Sequence, residues 1–123
     1  MKFNKNEVIA LAHMGFIMAL ADGKIAEEET ATVALELVKL GVQKNEVEFI
    51  LSSSHNIDHS LAVSILSNMT AEKKKEACAF LGTIIASDGD VDPAEVKVWS
   101  VVSLLCGFPN MTIKEALDFW AAN

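Results

Sequence analysis

The sequence predicts an all-α domain made of two copies of one helical unit. Hydrophobic residues make up 51% of its 123 residues and charged residues 22%, a composition typical of a globular chain with one core. Two prolines and six glycines interrupt it, and no run alternates apolar and polar residues as a half-buried strand does. An internal repeat completes the prediction of about seven helices in a pseudo-twofold bundle.

The repeat is recognised at two Asp-Gly pairs. The segment 21–29 reads Ala-Asp-Gly-Lys-Ile-Ala-Glu-Glu-Glu, and the segment 87–95 reads Ser-Asp-Gly-Asp-Val-Asp-Pro-Ala-Glu. The offset of 66 positions that aligns Asp22 with Asp88 holds along both units. We therefore expect one domain over 1–123, with repeat one at about 6–51, a connector at 52–69 and repeat two at about 70–121.

The first helix of each unit is expected at about 6–21 and 71–87. Both segments are apolar nearly all the way round, which is typical of helices buried on every side, so they should form the centre of the fold. The Asp-Gly pair ends each of them, because glycine accepts left-handed backbone and aspartate suits a turn. Thr70 is the expected N-cap of the second.

The second helix of repeat two has a strong start signal. Asp92 suits the N-cap, Pro93 the first helical position, and Glu95 follows three residues after the cap. Its counterpart in repeat one begins near Glu27. Gly107, like its counterpart in repeat one, ends the helix.

Shorter helices complete the units. They are expected at about 44–51 and 112–121, the latter with a capping box of Thr112 and Glu115. The serine-rich segment 52–56 is expected to form a turn, after which Asp58 caps a connecting helix.

The net charge of −7 argues against nucleic acid as a partner, because no lysine-rich face offsets it. It favours cations or a basic protein surface instead. Cys78 and Cys106 lie in apolar helices without CxxC spacing, as buried free thiols in a reducing compartment do. The stretch 8–21 resembles a secretory signal, but it has an internal counterpart at 76–87. We interpret it as a core helix of a cytoplasmic protein with no transmembrane segment.

Acidic residues at equivalent places in the two units are the candidate site. Glu95 precedes Trp99 by four residues, so it shares the inward stripe of its helix, and an inward carboxylate needs a donor or a cation. Hard cations such as Ca²⁺ or Mg²⁺ would suit these oxygens. The second loop has two additional acids where the first has Lys24 and Ala26. The candidate metal ligands are Asp22, Glu29, Asp88, Asp90, Asp92 and Glu95.

An alternative assigns the same acids to helix capping, with aspartates in turns and glutamates near helix N-termini. The pattern D-G-x-[IV]-x-x-x-E matches only the second half of an EF-hand loop, because apolar residues stand where the first ligands belong. The H-x-x-D-H sequence at 55–59 lacks the glutamate of the zinc-protease motif and is interpreted as a polar connector. His13, on an apolar helix, is expected to be a core histidine. We find no nucleophile or phosphate-binding motif and predict no enzymatic activity.

These motifs resemble the TerB-like tellurite-resistance family, which is also similar to the N-terminal region of membrane-anchored J-domain co-chaperones. The resemblance rests on an apolar helix ending Ala-Asp-Gly-x-Ile-x-x-x-Glu and on Ser-Asp-Gly-x-Val-x-Pro-x-Glu in register. It implies an all-α bundle and a bacterial cytoplasmic protein of stress or toxic-anion resistance, at the inner face of the membrane. It also implies metal binding at Asp22, Glu29, Asp88 and Glu95.

The sequence therefore predicts a non-catalytic binding module whose acidic loops hold a divalent cation or a basic partner surface. Two alternatives stay open. In one, the protein is a structural or oligomerising module, such as a homodimer, and its acids are helix caps. In the other, which lacks an identifiable general base, a loop-bound metal ion activates water for hydrolysis. A protein partner and peripheral membrane association are also expected.

Overall fold

The computed structural model describes residues 2–21, 26–87 and 91–122, with the side chains of 26–29 excepted. Seven α-helices and no strand occur in this part of the chain, which confirms the predicted all-α class. None of the described helices is both long and apolar enough to span a bilayer. The helices are α1 (Lys5–Leu20), α2 (Ala26–Leu40), α3 (Lys44–Asn56), α4 (His59–Ser67), α5 (Ala71–Ala86), α6 (Pro93–Cys106) and α7 (Ile113–Ala122).

Helices α1 and α5 form the centre of the bundle, as their apolar sequences predict. Most of α1 from Val8 onward is buried, and α5 is buried without interruption from Glu76 to Ile85. Helix α1 packs against α2, α3, α4, α5 and α6, whereas α5 packs most extensively against α7. The two first helices thus pack against each other, and the second helix of each unit contacts both of them.

The two central helices run in the same direction. Near their starts, the Lys73 ammonium lies 2.9 Å from the Glu7 carboxylate, and these residues are 66 positions apart, so they are equivalent in the two repeats. Further along both helices, a Cβ on Gly15 would lie only 2.9 Å from Cδ1 of Ile84. From the first of these contacts to the second, both helices advance toward their C-termini. The C-terminal ends of α1 and α5 therefore lie at the same end of the bundle.

The second helix of each unit packs through equivalent residues of different size. Val33 on α2 is fully buried and faces Gly15 of α1. Its equivalent on α6, Trp99, faces Gly82 of α5 and donates its indole N–H to the Cys78 carbonyl at 3.1 Å. A glycine lies opposite each of these residues, although Gly15 and Gly82 are 67 positions apart and so stand one position out of the register of the repeat.

The predicted caps at the starts of four helices are confirmed. Their side chains accept hydrogen bonds from backbone N–H groups of the first turn, and the carboxylate of Glu115 completes its capping box by accepting from the backbone N–H of Thr112. Gly107 ends α6 with a left-handed φ of 70°. Helix α1 begins slightly before the predicted residue because Asn4 and Glu7 form an unpredicted capping box. The confirmed caps are Asp58, Thr70, Asp92 and Thr112.

The predicted turn at 52–56 is wrong, because α3 continues to Asn56. Serine and asparagine often compete with helical backbone bonds, but here their side chains bond back into the helix. The Ser54 hydroxyl donates to the Leu51 carbonyl at 2.6 Å, and the Asn56 amide donates to the Ser52 carbonyl at 3.1 Å. Ser54 itself is buried against α1, so tertiary packing decides the outcome.

We expect Gly82→Ala to destabilise the fold by about 1–3 kcal/mol, because the added Cβ overpacks the core. It would lie 2.8 Å from Cβ of Ala116 and 3.3 Å from the Trp99 ring, and neither neighbour is a flexible side-chain end. Urea unfolding would measure the loss, and adding Ala116→Gly should restore part of it.

Gly15→Ala is the matched control. Its new Cβ meets the flexible end of Ile84, and alanine gains up to about 1 kcal/mol of helix propensity over glycine. A loss for Gly15→Ala as large as that for Gly82→Ala would contradict this account of the packing.

Candidate functional site

The N-terminal turn of α6 brings together two of the candidate acids. The Asp92 carboxylate caps the helix by accepting from the Ala94 N–H at 2.8 Å, and Pro93 occupies the first turn. Glu95 follows in the same turn, and only 1% of its surface is exposed. Trp99, one turn later on the same stripe, is 3% exposed. The inward position predicted for Glu95 is therefore confirmed, as is the capping role of Asp92.

The other candidate ligands are not tested by the structure. Asp22, Asp88 and Asp90 lie outside the described residues. Glu29 belongs to the first turn of α2, but its side chain also lies outside what is described. In the described part of the chain no group of three or more His, Cys, Asp or Glu side chains is arranged to hold a metal ion. Metal binding by the six acids stays a prediction.

The position of Glu95 in the bundle follows from the direction of α6. The last turn of α6 lies beside the start of α5, since a Cβ on Gly107 would be 3.2 Å from the Lys74 ammonium. Trp99, nearer its start, contacts Cys78 and Gly82 further along α5. Helix α6 therefore runs antiparallel to α5. Its first turn, with Glu95, lies at the end of the bundle where α1 and α5 both end.

A histidine pair joins α1 to α3 and α4. Nδ1 of His13 lies 2.8 Å from the Ser54 carbonyl, which can only accept, so Nδ1 carries the proton and donates. Nε2 of His13 then meets Nδ1 of His59 at 2.6 Å. The expectation that His13 is a core histidine is confirmed. No local signal in the sequence indicates the pair, because its members are 46 positions apart.

The three polar side chains of the H-x-x-D-H segment make different contacts. Asp58 caps α4, and His59 is engaged by His13. The His55 ring packs on Phe16, with the ring centres 4.5 Å apart. The three residues thus have three separate structural roles, in agreement with the interpretation of this segment as a polar connector.

Lysines cover the carboxylates that the fold buries around α5. Besides the pair of Glu7 and Lys73, Glu36 of α2 is 3% exposed and lies 3.3 Å from the Lys39 ammonium. Glu76 is 7% exposed and is paired with Lys2. The hydrogen bond to Glu76 raises the pKa of Lys2 above its usual range. In these pairs a lysine ammonium lies beside each buried carboxylate, so burial alone does not identify a cation site.

With this geometry established, the chain defines a class: a two-repeat, all-α helical domain with a central pair of parallel helices. A search of solved structures finds the crystal structure of PG1108, a protein of unknown function from Porphyromonas gingivalis W83. The two share 38% sequence identity with a TM-score of 0.86, and the match covers 98% of this chain and 92% of that one. The chain belongs to the family of that protein. No protein-family model and no curated protein matches the sequence.

Asp92→Ala is expected to destabilise the protein by about 1 kcal/mol, because it removes the cap of α6. Asp92→Asn is the matched control, since asparagine caps equally well but carries no charge. Thermal unfolding of both variants in chelator-treated buffer measures the effect. Equal losses in the two variants would show that the charge of Asp92 matters more than its hydrogen bond to Ala94.

Cys106 is expected to resist alkylation in the native protein. It is fully buried, and desolvation raises the pKa of its thiol to about 11. At pH 8 only about 0.1% would be thiolate, the reactive form. Mass spectrometry after iodoacetamide treatment should show modification of Cys106 only in denaturant. Rapid modification under native conditions would contradict the packing of α6 on α5.

Proposed function

We propose that this protein is a non-catalytic, TerB-like binding module whose cation site lies at the N-terminal turn of α6. The ion would be Ca²⁺ or Mg²⁺, held by oxygens of Glu95, Asp92 and the preceding acids Asp88 and Asp90. The observation that carries the proposal is the position of Glu95, a carboxylate only 1% exposed on the first turn of α6, in a segment that also has aspartates at 88, 90 and 92. The stress- and tellurite-resistance role suggested by the family resemblance belongs to this same proposal.

A carboxylate that is buried loses its hydration. A carboxylate withdrawn from water costs several kcal/mol unless donors or a cation compensate. Hard divalent cations prefer carboxylate oxygens and tolerate irregular loops, and a segment with acids at 88, 90, 92 and 95 supplies several of them. The net charge of −7 further favours cation binding.

The two repeats should not bind a divalent cation equally well. Repeat one has Lys24 where repeat two has Asp90, and Ala26 where repeat two has Asp92. A lysine ammonium repels a divalent ion, and an alanine offers it no side-chain ligand. The site is therefore assigned to repeat two, and repeat one serves as an internal comparison.

A structural role for the acids is the second candidate, and one observation favours it. Asp92 already caps α6 with one carboxylate oxygen. If all these acids act as caps or helix-terminal charges, no ion is needed. The hydrolase alternative gains no support from the buried histidine, because His13 is engaged by Ser54 and His59.

The test is thermal unfolding of chelator-stripped protein with and without millimolar Ca²⁺ or Mg²⁺. An ion that binds only the folded state at a hundredfold excess over its Kd stabilises it by about 2.7 kcal/mol. We expect one of the two ions to raise the Tm by several degrees. Glu95→Gln, which keeps the size of the side chain but removes its charge, should abolish that rise.

Asp118→Asn is the control, because Asp118 is an exposed acid of α7 that pairs with Lys114. It should leave the cation-induced rise unchanged. If neither ion raises the Tm of the wild type, and Asp92→Ala still lowers it, the acids are caps and the cation proposal is wrong. A rise that survives in Glu95→Gln would place the ion elsewhere.

A further inference from the structure

The outer face of α6 carries large apolar side chains in contact with water. Leu104 is 82% exposed, Leu105 59% and Val101 50%. These three residues, with the exposed Lys97 one turn before Val101, are called the outer face of α6 below. Single exposed leucines are common on protein surfaces, but a contiguous cluster on one helix is typical of an interaction site.

A groove lies directly beside this face. It has a volume of about 280 Å³ and lies between α6 and the segment that leads to α7. Its apolar lining consists of Trp99, Leu104, Phe108, Pro109 and Met111. Because Leu104 belongs to both features, a partner that covers the outer face can also place a side chain in the groove.

The equivalent face of α2 in repeat one is also partly apolar, but it differs in two places. In α2 the position equivalent to Leu105 is Lys39, which is exposed and pairs with Glu36. The position equivalent to Leu104 is Val38, a smaller residue that is 37% exposed, whereas Val101 has an exposed apolar counterpart in Leu35. The two faces therefore differ most at Leu105, where α2 has a lysine, and at Leu104, which is more than twice as exposed as Val38.

Lysines lie beside this surface, although the protein as a whole is acidic. Although the net charge is −7, no Asp or Glu occurs between Glu95 and Glu115. Lys97 is exposed beside the apolar cluster. Lys74 and Lys75 line a shallow depression that shares Pro109 with the groove. The apolar surface is thus bordered by ammonium groups.

We propose that the outer face of α6 and its groove dock an amphipathic helix of a partner protein, with an apolar stripe flanked by carboxylates. Helix-in-groove recognition uses apolar residues at helical spacing as anchors, and flanking charges set the orientation. The lysines favour acidic flanks. A second copy of this chain would present the same lysines without facing carboxylates. An anionic bilayer is repelled by the net charge and has no protruding side chain for the groove.

The probe is a labelled synthetic helical peptide with a leucine stripe flanked by glutamates. A control peptide has lysines in place of the glutamates. Binding to the full chain is followed by fluorescence anisotropy at physiological salt. We expect the glutamate peptide to bind at least about tenfold more tightly than the lysine peptide. Leu104→Ser and Lys97→Glu should each weaken its binding about tenfold or more.

Val38→Ser in α2 is the matched control and should leave binding unchanged, because it alters the position equivalent to Leu104. All substituted positions are at least partly exposed, so circular dichroism should show native helix content in each variant. Equal binding of the two peptides, or undiminished binding by Leu104→Ser, would overturn the proposal. The proposal would also be overturned if the glutamate peptide did not bind and Leu104→Ser instead abolished a concentration-dependent dimerisation of the protein. The same holds if Leu104→Ser abolished binding to phosphatidylserine vesicles while the glutamate peptide did not bind.

Discussion

The structure depends on the close, parallel packing of α1 against α5. Equivalent residues of the two repeats meet directly at this contact, where Glu7 of one central helix pairs with Lys73 of the other. Because residues related by a twofold axis can contact each other only next to that axis, the pseudo-twofold axis lies between the two helices. Gly15 admits the Ile84 side chain further along the same contact, and Gly82 admits both Trp99 and Ala116 on the far side of α5. Small residues at these positions let three layers of helix approach one another, as close packing of protein interiors requires.

The parallel arrangement also separates the surfaces of the molecule. The C-terminal ends of α1 and α5 and the N-terminal turn of α6 lie together at one end of the bundle. Glu95 lies at this end, as do the residues just before the two Asp-Gly pairs. Lysine-paired carboxylates such as Glu36 and Glu76 lie elsewhere around α5, where each buried charge is already compensated. The outer face of α6 is different again, apolar and bordered by lysines. The two repeats differ at both places, since repeat one has Lys24 in place of Asp90 and Lys39 in place of Leu105.

Local signals in the sequence were sufficient for much of the fold. The buried central helices and the caps at Thr70 and Asp92 depend on residues close in the chain, and the described residues confirm them. The extension of α3 through Ser54 was not predicted, because burial against α1 outweighs the turn preference of its serines. The contact between His13 and His59 could not be predicted either, since it depends on how α4 lies against α1. For the candidate site, helical spacing correctly placed Glu95 inward, but spacing cannot show whether a carboxylate is matched by a donor or by an ion.

The most direct test of the cation site is terbium luminescence sensitised by tryptophan. Tb³⁺ substitutes for Ca²⁺ at oxygen-rich sites, and Trp99 lies one helical turn from Glu95, so an ion at the start of α6 would be excited through it. The account predicts sensitised emission from wild-type protein and from Trp120→Phe, displacement of Tb³⁺ by Ca²⁺, and loss of emission in Glu95→Gln. Absence of sensitised emission from wild-type protein, or emission that persists in Glu95→Gln, would contradict the assignment of a cation site to this turn.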